Sequence, residues 1–556
     1  MPLPAEYLPL QRLWHWERAR ADDIWLTQPM GGGRVRDFTW APAVGEARRM
    51  AAHLQSLGFA PGTRIAIMSK NCAWWYLADY AILMAGYVSV PLYPNLTADT
   101  VRAILAHAEA KLCFVGKLDH AAEMEAGLPP DVLRIGLPQA APSPHPQWDA
   151  IVAATAPLPG APTRPADELA TIVYTSGTTG MNKGVMHSFG AIGIASRTAS
   201  EALGCTREDR FMSYLPAAHM ADRWGTQYTA LQEGGRVYFV ESLETFLRDA
   251  CAAQPTVFAA VPRLWTKFQQ GVFARMPRHK LERLLRIPLL GALVKRKILK
   301  QLGLDAVRVA LSGGAPLPPE LHSWYRALGL ELLELYGMTE NFGLSHVARV
   351  GQVRIGYVGQ PWPGVEQRLS EVGEVQIRTP AATTGYYKAP ELTRELFAHG
   401  GWLRTGDLGE LDEIGRLRIV GRIKEQFKTS KGKYVSPLPI ENLLSAHPLV
   451  EATCVAGAGF AQPFALVMLP AVGSERWGDA GEREELARSL EVHVDAINAQ
   501  LARHEQLDFI VVTGEQWTVD NGLVTPTLKV KRAAIEQRYG AQFGAWAGQQ
   551  QKVVWA

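Results

Sequence analysis

An α/β fold is predicted from two observations. Between Phe38 and Pro94, apolar strand-like runs alternate with helix-length segments, and from Glu168 to about Gly314 the alternation resumes. This is the pattern of a parallel sheet layered with helices. A third observation, the short strands and glycine turns between Tyr357 and Val420, adds a small β-rich module. After Gly421 come a Lys-rich loop and a mixed α+β tail of about 135 residues. The expected organisation is a large N-terminal domain, 1–420, of layered α/β subdomains plus the β-rich module, followed by a small α+β C-terminal domain, 421–556.

In chain order, the first block reads as a helix (Ala43 to Leu57), a strand (RIAIMS), a second helix (Ala73 to Ala85) and a second strand within YVSVPLY. Tyr80 to Ala98 is uncharged over 19 residues, long enough to span a bilayer. It nevertheless holds Gly86, Pro91, Pro94 and Asn95, so it reads as a buried strand after a helix and no transmembrane span is expected. Leu137 to Pro165, rich in Ala and Pro, reads as a connection. The second block contributes LATIVYT, a helix near Gly190 to Leu203, FMSYLP, RVYFV, TVFAAVP and VRVALSGG. The N-terminus lacks the basic, apolar and small-residue succession of a signal peptide.

Composition narrows the class. The 556 residues are 47% hydrophobic and 20% charged, with 57 Lys+Arg against 54 Asp+Glu, which excludes a disordered or collagenous chain and gives no global reason to expect nucleic acid. Five widely spread cysteines, Cys72, Cys113, Cys205, Cys251 and Cys454, show no C-x-x-C spacing. Neither a disulfide framework nor a zinc site is expected, and the default setting is cytoplasmic.

The strongest chemical signal is Thr171 to Ser188. A β-branched strand runs into Thr175-Ser176-Gly177-Thr178-Thr179-Gly180, and Lys183 follows. Glycines let backbone amides wrap around phosphate oxygens, hydroxyls add donors, and lysine adds charge. The nucleoside-triphosphatase loop is ruled out, because Asn182 stands where its second glycine belongs and Gly184 where its Ser/Thr must hold magnesium. The plain alternative is a polar surface loop. Four more segments follow in order: Leu311-Ser312-Gly313-Gly314-Ala315-Pro316-Leu317, Leu335-Tyr336-Gly337-Met338-Thr339-Glu340, Thr405-Gly406-Asp407 and Gly421-Arg422-Ile423-Lys424-Glu425.

Together these segments resemble the adenylate-forming superfamily of acyl-CoA synthetases, luciferases and peptide-synthetase adenylation domains, across about Phe38 to Arg532. FKTSKGKYVSPLPIEN, VPRLWTKF and TPTLKVKR are similar to the long-chain fatty acyl-CoA synthetase branch. The resemblance implies that Thr175 to Gly180 and Lys183 hold the phosphates of ATP. It places Gly313, Gly314 and Ala315 in the adenine cradle, with Gly337 and Met338 beside Tyr336, which stacks on the base. Glu340, together with Thr175, would hold Mg2+, and Thr339 would donate to the α-phosphate. Asp407 would accept the ribose hydroxyls, and Arg422 would bind ribose or phosphate. Read alone, Thr-Glu is a helix cap, Asp407 a turn former and Tyr336 packing.

By the same resemblance His219 orients the acid's carboxylate, which needs no general base because it is ionised at pH 7; unassisted, it reads as a core histidine. Trp224 would line an acyl tunnel or simply pack in the core. The family's catalytic lysine follows a glycine. Counting from Thr527 selects Lys531, with Val530 in the glycine's place, while Lys529, two residues away on the same side of an extended strand, stays open. Lys424 stands at the hinge about which the family's mobile C-terminal domain turns. Lys428 and Gly432 would meet coenzyme A, with Gly432 letting the pantetheine pass.

The implied reaction is ATP-dependent joining of a medium- to long-chain fatty acid to coenzyme A through an acyl adenylate. Alternatives are transfer to a carrier protein, activation of another hydrophobic acid, and a non-catalytic acyl- or nucleotide-binding scaffold. One segment bears on lipid independently. From Arg275 to Lys300 there are nine Lys/Arg and one acid, Glu282, interleaved with Leu, Ile and Val. Such a segment suits an anionic membrane surface, or else a helix pair that packs its Leu face inward and solvates its charge.

Overall fold

The computed structural model describes residues 3–176, 182–471, 479–525 and 527–556. The chain forms two compact units, 1–367 with 377–404, and 368–376 with 405–556. The second unit thus takes in the 405–420 segment, because Leu417–Arg422 pairs with Trp402–Leu411 and the helix Pro437–Leu444 packs against it.

The first unit contains three β-layers. In the largest, seven strands lie in the order Gly385–Tyr386, Asn182–Ser188, Leu169–Ser176, Val88–Leu92, Arg64–Met68, Leu112–Val115, Leu133–Gly136. Its five later-named strands are parallel, and Asn182–Ser188 runs antiparallel to both of its neighbours, Leu169–Ser176 and Gly385–Tyr386. A second sheet orders Arg34–Thr39, Ile24–Gly31, Arg236–Phe239 and Arg210–Ser213. The third orders Val257–Ala260, Val309–Gly313, Leu332–Tyr336, His346–Val347 and Gln360–Pro361. The α/β expectation holds.

The helix Ala73–Met84 is buried along its whole length, and Val88–Leu92 follows it into the interior of the seven-stranded sheet. That double-sided burial explains the uncharged run without a bilayer. Among the described residues no helix is long and apolar enough to cross a membrane. The segment 137–165 is more than a connection: Trp148–Ala154 is a helix that buries Trp148 and Ile151, too short for its periodicity to register in sequence.

The second unit's four-stranded sheet, Ala452–Ala456, Phe464–Met468, Ile510–Thr513 and Val553–Trp555, shows strand alternation directly. Val455, Ala465, Val467, Ile510 and Val512 face the helix Ala480–Asn498 through Leu486, Leu490 and Val494. Cys454, Phe464, Leu466 and Val511 face the opposite layer, with Ile535, Tyr539 and Trp546. A period of two places alternate side chains in two cores.

Candidate active site

The phosphate-loop candidate connects two antiparallel strands. Leu169–Ser176 pairs antiparallel with Asn182–Ser188, setting Thr175 opposite Lys183 and Ser176 opposite Asn182. Residues 177–181, and with them Gly177, Thr178, Thr179 and Gly180, lie outside the described residues. Strand-to-strand connection, rather than strand-to-helix, is the structural reason the nucleoside-triphosphatase pattern fails here. The Lys183 ammonium lies 5.0 Å from the centroid of the Tyr386 ring. Tyr386 comes from the adjoining edge strand, opposite Val185, and its hydroxyl donates to Glu340 Oε1 at 2.8 Å. Burial, then the Glu340 charge, raise the Tyr386 pKa, so the phenol keeps its proton and remains a donor.

Gly313, Gly314 and Ala315 and the segment Tyr336 to Glu340 leave the carboxyl ends of two adjacent parallel strands, Gly313 lying opposite Leu335. Ligands of parallel sheets gather at that edge. Gly314 has φ +80°, a backbone region that side chains resist. A Cβ at Gly337 would meet the Gly343 carbonyl oxygen at 2.2 Å, so only glycine lets the chain pass there. Tyr336 is half-buried, with its ring 5.9 Å from that of His346. Asn341 Oδ1 accepts the Met338 amide at 3.0 Å.

His187 is a participant the sequence did not single out. It is fully buried, and burial pushes its pKa down to about 3, so the ring is neutral. Its Nε2 lies 2.7 Å from the Thr339 carbonyl oxygen; because a carbonyl only accepts, Nε2 carries the proton. The Thr383 amide donates to the Glu340 carbonyl at 2.7 Å. Thr339 and Glu340 are thereby held at the backbone while their side chains stay only half-buried. The partners are remote in sequence and of common residue types, so no local signal marks them.

His219 caps the short helix Met220–Asp222, its Nδ1 accepting the Ala221 amide at 3.1 Å. The proton is then on Nε2. Behind it lies a buried polar network. Asp222 accepts from Tyr76 at 2.7 Å, and Arg223 donates to both oxygens of Asp79 at 2.8 and 2.9 Å. Burial raises the Asp222 pKa to about 7. Such an ion pair positions the His219 turn, since breaking it would leave an uncompensated charge. Trp224 donates to the Ala195 carbonyl at 3.0 Å and packs edge-on against Trp362, which makes it a core residue.

In the second unit, Asp407 and Arg422 are register partners on antiparallel strands, and Arg422 Nε lies 2.8 Å from Asp407 Oδ1. The strand segment just before Asp407 is fastened too. Thr405 Oγ1 donates to the Val375 carbonyl at 2.7 Å and accepts the Asp407 amide at 3.1 Å. Lys424 is exposed on the 3₁₀ turn Ile423–Glu425. Lys428 opens a small hairpin opposite Tyr434, and Gly432 takes φ +78° in its turn. Turn geometry alone therefore accounts for that glycine.

The two candidate lysines have different settings. Lys531 precedes the helix Arg532–Tyr539, and its amide donates to the Leu523 carbonyl. Arg532 anchors that helix through Glu441 at 2.6 Å. Lys529 lies on a tight turn closed by the Leu528 amide to the Thr525 carbonyl and the Thr525 amide to the Lys529 carbonyl. Leu528 has φ +60°, the region glycine favours. Lys529 is exposed as a residue, yet desolvation around its ammonium and then the Arg422 cation pull its pKa down, against Asp407 and Glu425.

Among the described residues no three His, Cys, Asp or Glu gather into a metal-binding cluster. Glu340 offers one oxygen engaged by Tyr386 and a second on a half-buried side chain. A carboxylate of that kind fits Mg2+, a hard cation that takes few protein ligands and completes its shell with phosphate and water.

Comparison with known proteins decides the family. Residues 13–387 match the AMP-binding enzyme family, and residues 424–545 match its C-terminal domain. This chain belongs to the AMP-binding enzyme family. It is an adenylate-forming ligase, as the ordered motifs implied. A relative named long-chain-fatty-acid–CoA ligase FadD15, from Mycobacterium bovis, is 31% identical, covering 95% of this chain and 96% of its own. Long chain acyl-CoA synthetase 6, peroxisomal, of Arabidopsis thaliana is 30% identical over 91% of this chain and 81% of its own. The anthranilate CoA ligase AuaEII, solved with anthranoyl-AMP, shares the fold at TM-score 0.79 and 22% identity, covering 98% of this chain and 99% of its own.

Proposed function

We propose that this enzyme is an ATP-dependent fatty acid–CoA ligase that forms an acyl adenylate and then the acyl-CoA, releasing pyrophosphate and AMP. The observation that carries the reading is the Lys183–Tyr386–Glu340 alignment beside the parallel-strand edge of Gly313 to Ala315 and Tyr336. It brings a phosphate-binding cation and a metal-binding carboxylate to one β-layered unit that also carries the adenine cradle. The substrate class follows the names of the 31% and 30% identical relatives.

In the first half-reaction the carboxylate attacks the α-phosphate of ATP. The Thr175 to Gly180 turn and Lys183 bind the departing phosphates, Thr339 donates to the α-phosphate, and His219 Nε2–H orients the acid. Glu340 and Thr175 would hold Mg2+, which when bound would supply charge neutralisation on the phosphate oxygens. Positioning and charge therefore do most of the catalysis. Asp407 and Arg422 bind the ribose. Lys529 is the better catalytic lysine, because Leu528 before it takes the left-handed conformation that glycine favours, as the residue before the family's lysine is a glycine, and Lys529 neighbours Asp407 and Arg422. In the second half-reaction Lys428 and Gly432 face coenzyme A, with Lys424 at the hinge of a C-terminal domain that moves between steps. We place the enzyme in the cytoplasm.

The test is pyrophosphate release from ATP and Mg2+ with acids from hexanoate to stearate, with and without coenzyme A. Fatty-acid-dependent release together with CoA-dependent acyl-CoA formation is expected. Release without any acyl-CoA would move the reading to a carrier-protein acceptor, and no acid-dependent release would leave a binding scaffold.

A further inference from the structure

The basic segment from Arg275 to Lys300 divides into two populations in the fold. It forms two helices, Arg278–Leu285 and Leu290–Gln301. Leu281 and Ile298 are buried, and Leu285, Val294 and Leu299 pack against the core that holds Trp265, Phe268 and Trp324. The inward-packing alternative is thus correct for these five. It fails for the connection. Ile287, Leu289, Leu290 and Leu293 are 47%, 84%, 41% and 65% exposed, and Pro288 beside them is exposed as well.

Two features set this apart from scattered surface leucines. Leu289 has φ +60° and ψ −57°, and the Leu290 amide bonds the Pro288 carbonyl at 2.6 Å. That is a γ-turn of the rare, strained hand, and it carries a bulky apolar side chain outward. Around it stand Arg283, Arg286, Arg296 and Lys297, all exposed. Among the described residues only Arg278 of the nine cations has carboxylate partners, Glu282 at 2.8 Å and Glu320 at 3.5 Å. An apolar tip ringed by uncompensated cations is complementary to one surface, an interface with a fatty interior and anionic headgroups.

We propose that the helical hairpin 278–301 docks this enzyme on an anionic lipid surface, Ile287, Leu289, Leu290 and Leu293 entering the acyl layer and the flanking Lys and Arg meeting headgroup phosphates. The inference deepens the fatty-acid reading, which it rests on for the benefit of working at a lipid surface, but its physical argument stands on the hairpin alone.

The experiment is co-sedimentation of the full chain with vesicles of phosphatidylglycerol and phosphatidylcholine, and with phosphatidylcholine alone. Binding is expected only to the anionic vesicles, weakening as salt rises from about 0.1 M to about 1 M. The Leu289→Asp, Leu293→Asp double variant removes the apolar tip, and the Arg286→Glu, Lys297→Glu variant reverses two flanking charges. Each should lower partitioning by about tenfold or more, with activity on octanoate in solution unchanged. No sedimentation by the wild type, equal binding to neutral vesicles, or undiminished binding by both variants overturns the proposal. Octanoate activity reports separately on the ligase reading, and if the tip variant misfolds the charge variant decides.

Discussion

Asp407 and Arg422 face each other across an antiparallel strand pair and are joined by an ion pair of 2.8 Å. The Asp407 side chain is buried while that of Arg422 is half exposed. The carboxylate is thus oriented before any nucleotide arrives, which reduces the ordering cost of binding. Asp407→Ala should raise the KM for ATP by about 10- to 100-fold, the scale of a lost charged hydrogen bond. Arg422→Ala should do comparable damage, because it removes the ion pair that orients the buried Asp407 carboxylate. Steady-state kinetics in ATP checks both, and a double variant should be less than additive.

The lysine assignment is decided by half-reactions. Lys529→Ala should slow adenylate formation by roughly 10² to 10³, the scale for one preorganised charge at a transition state, while Lys531→Ala stays within a few-fold. Transfer from preformed acyl adenylate to coenzyme A should survive in both. The reverse ranking of the two variants in pyrophosphate release would restore Lys531.

Tyr386→Phe removes the donor to Glu340 Oε1 without changing the ring beside Lys183. Freed of that bond, the carboxylate loses one orientation restraint. The expected outcome is a several-fold rise in the Mg2+ concentration for half-maximal rate, with little change in thermal stability. Titration of Mg2+ at saturating ATP measures it.

Glu334 makes stability depend on pH. Burial pushes its carboxyl up to about 7, and its Oε1 has no hydrogen-bond partner. A raised acid pKa means the folded state holds a proton that the unfolded chain has released, so stability is full below the unfolded value near 4.5 and is lost as pH rises through 7. The difference is worth about 3 kcal/mol at pH 8. Glu334→Gln should therefore raise Tm at pH 8 relative to the wild type and change it little at pH 5. Asp222, raised to about 7 by burial, acts in the same direction.

Contiguous sequence determined the layered fold and the motif positions. Strand-to-loop transitions at Thr175, Gly313 and Tyr336 follow from apolar runs ending in Gly, Ser or Thr, and each is local in the chain. Burial of the strand Val88–Leu92 was likewise legible from the uncharged run Tyr80 to Ala98, broken by Gly and Pro. Family membership rested on the same local strings, and so it could be stated before any coordinate.

Tertiary structure alone decided what holds those motifs. His187 reaches the Thr339 carbonyl across 152 positions, Tyr386 reaches Glu340 across 46, and Arg223 reaches Asp79 across 144. Each pair consists of residue types too common to be matched by spacing. Backbone conformation at Leu528 is equally silent in sequence, because a leucine at φ +60° is imposed by the turn's hydrogen bonds against its own preference. The leucines from 281 to 299 show the same division: composition predicts an amphipathic basic segment, but only packing separates those that complete a core from those left at the tip, because exposure depends on what the rest of the chain covers.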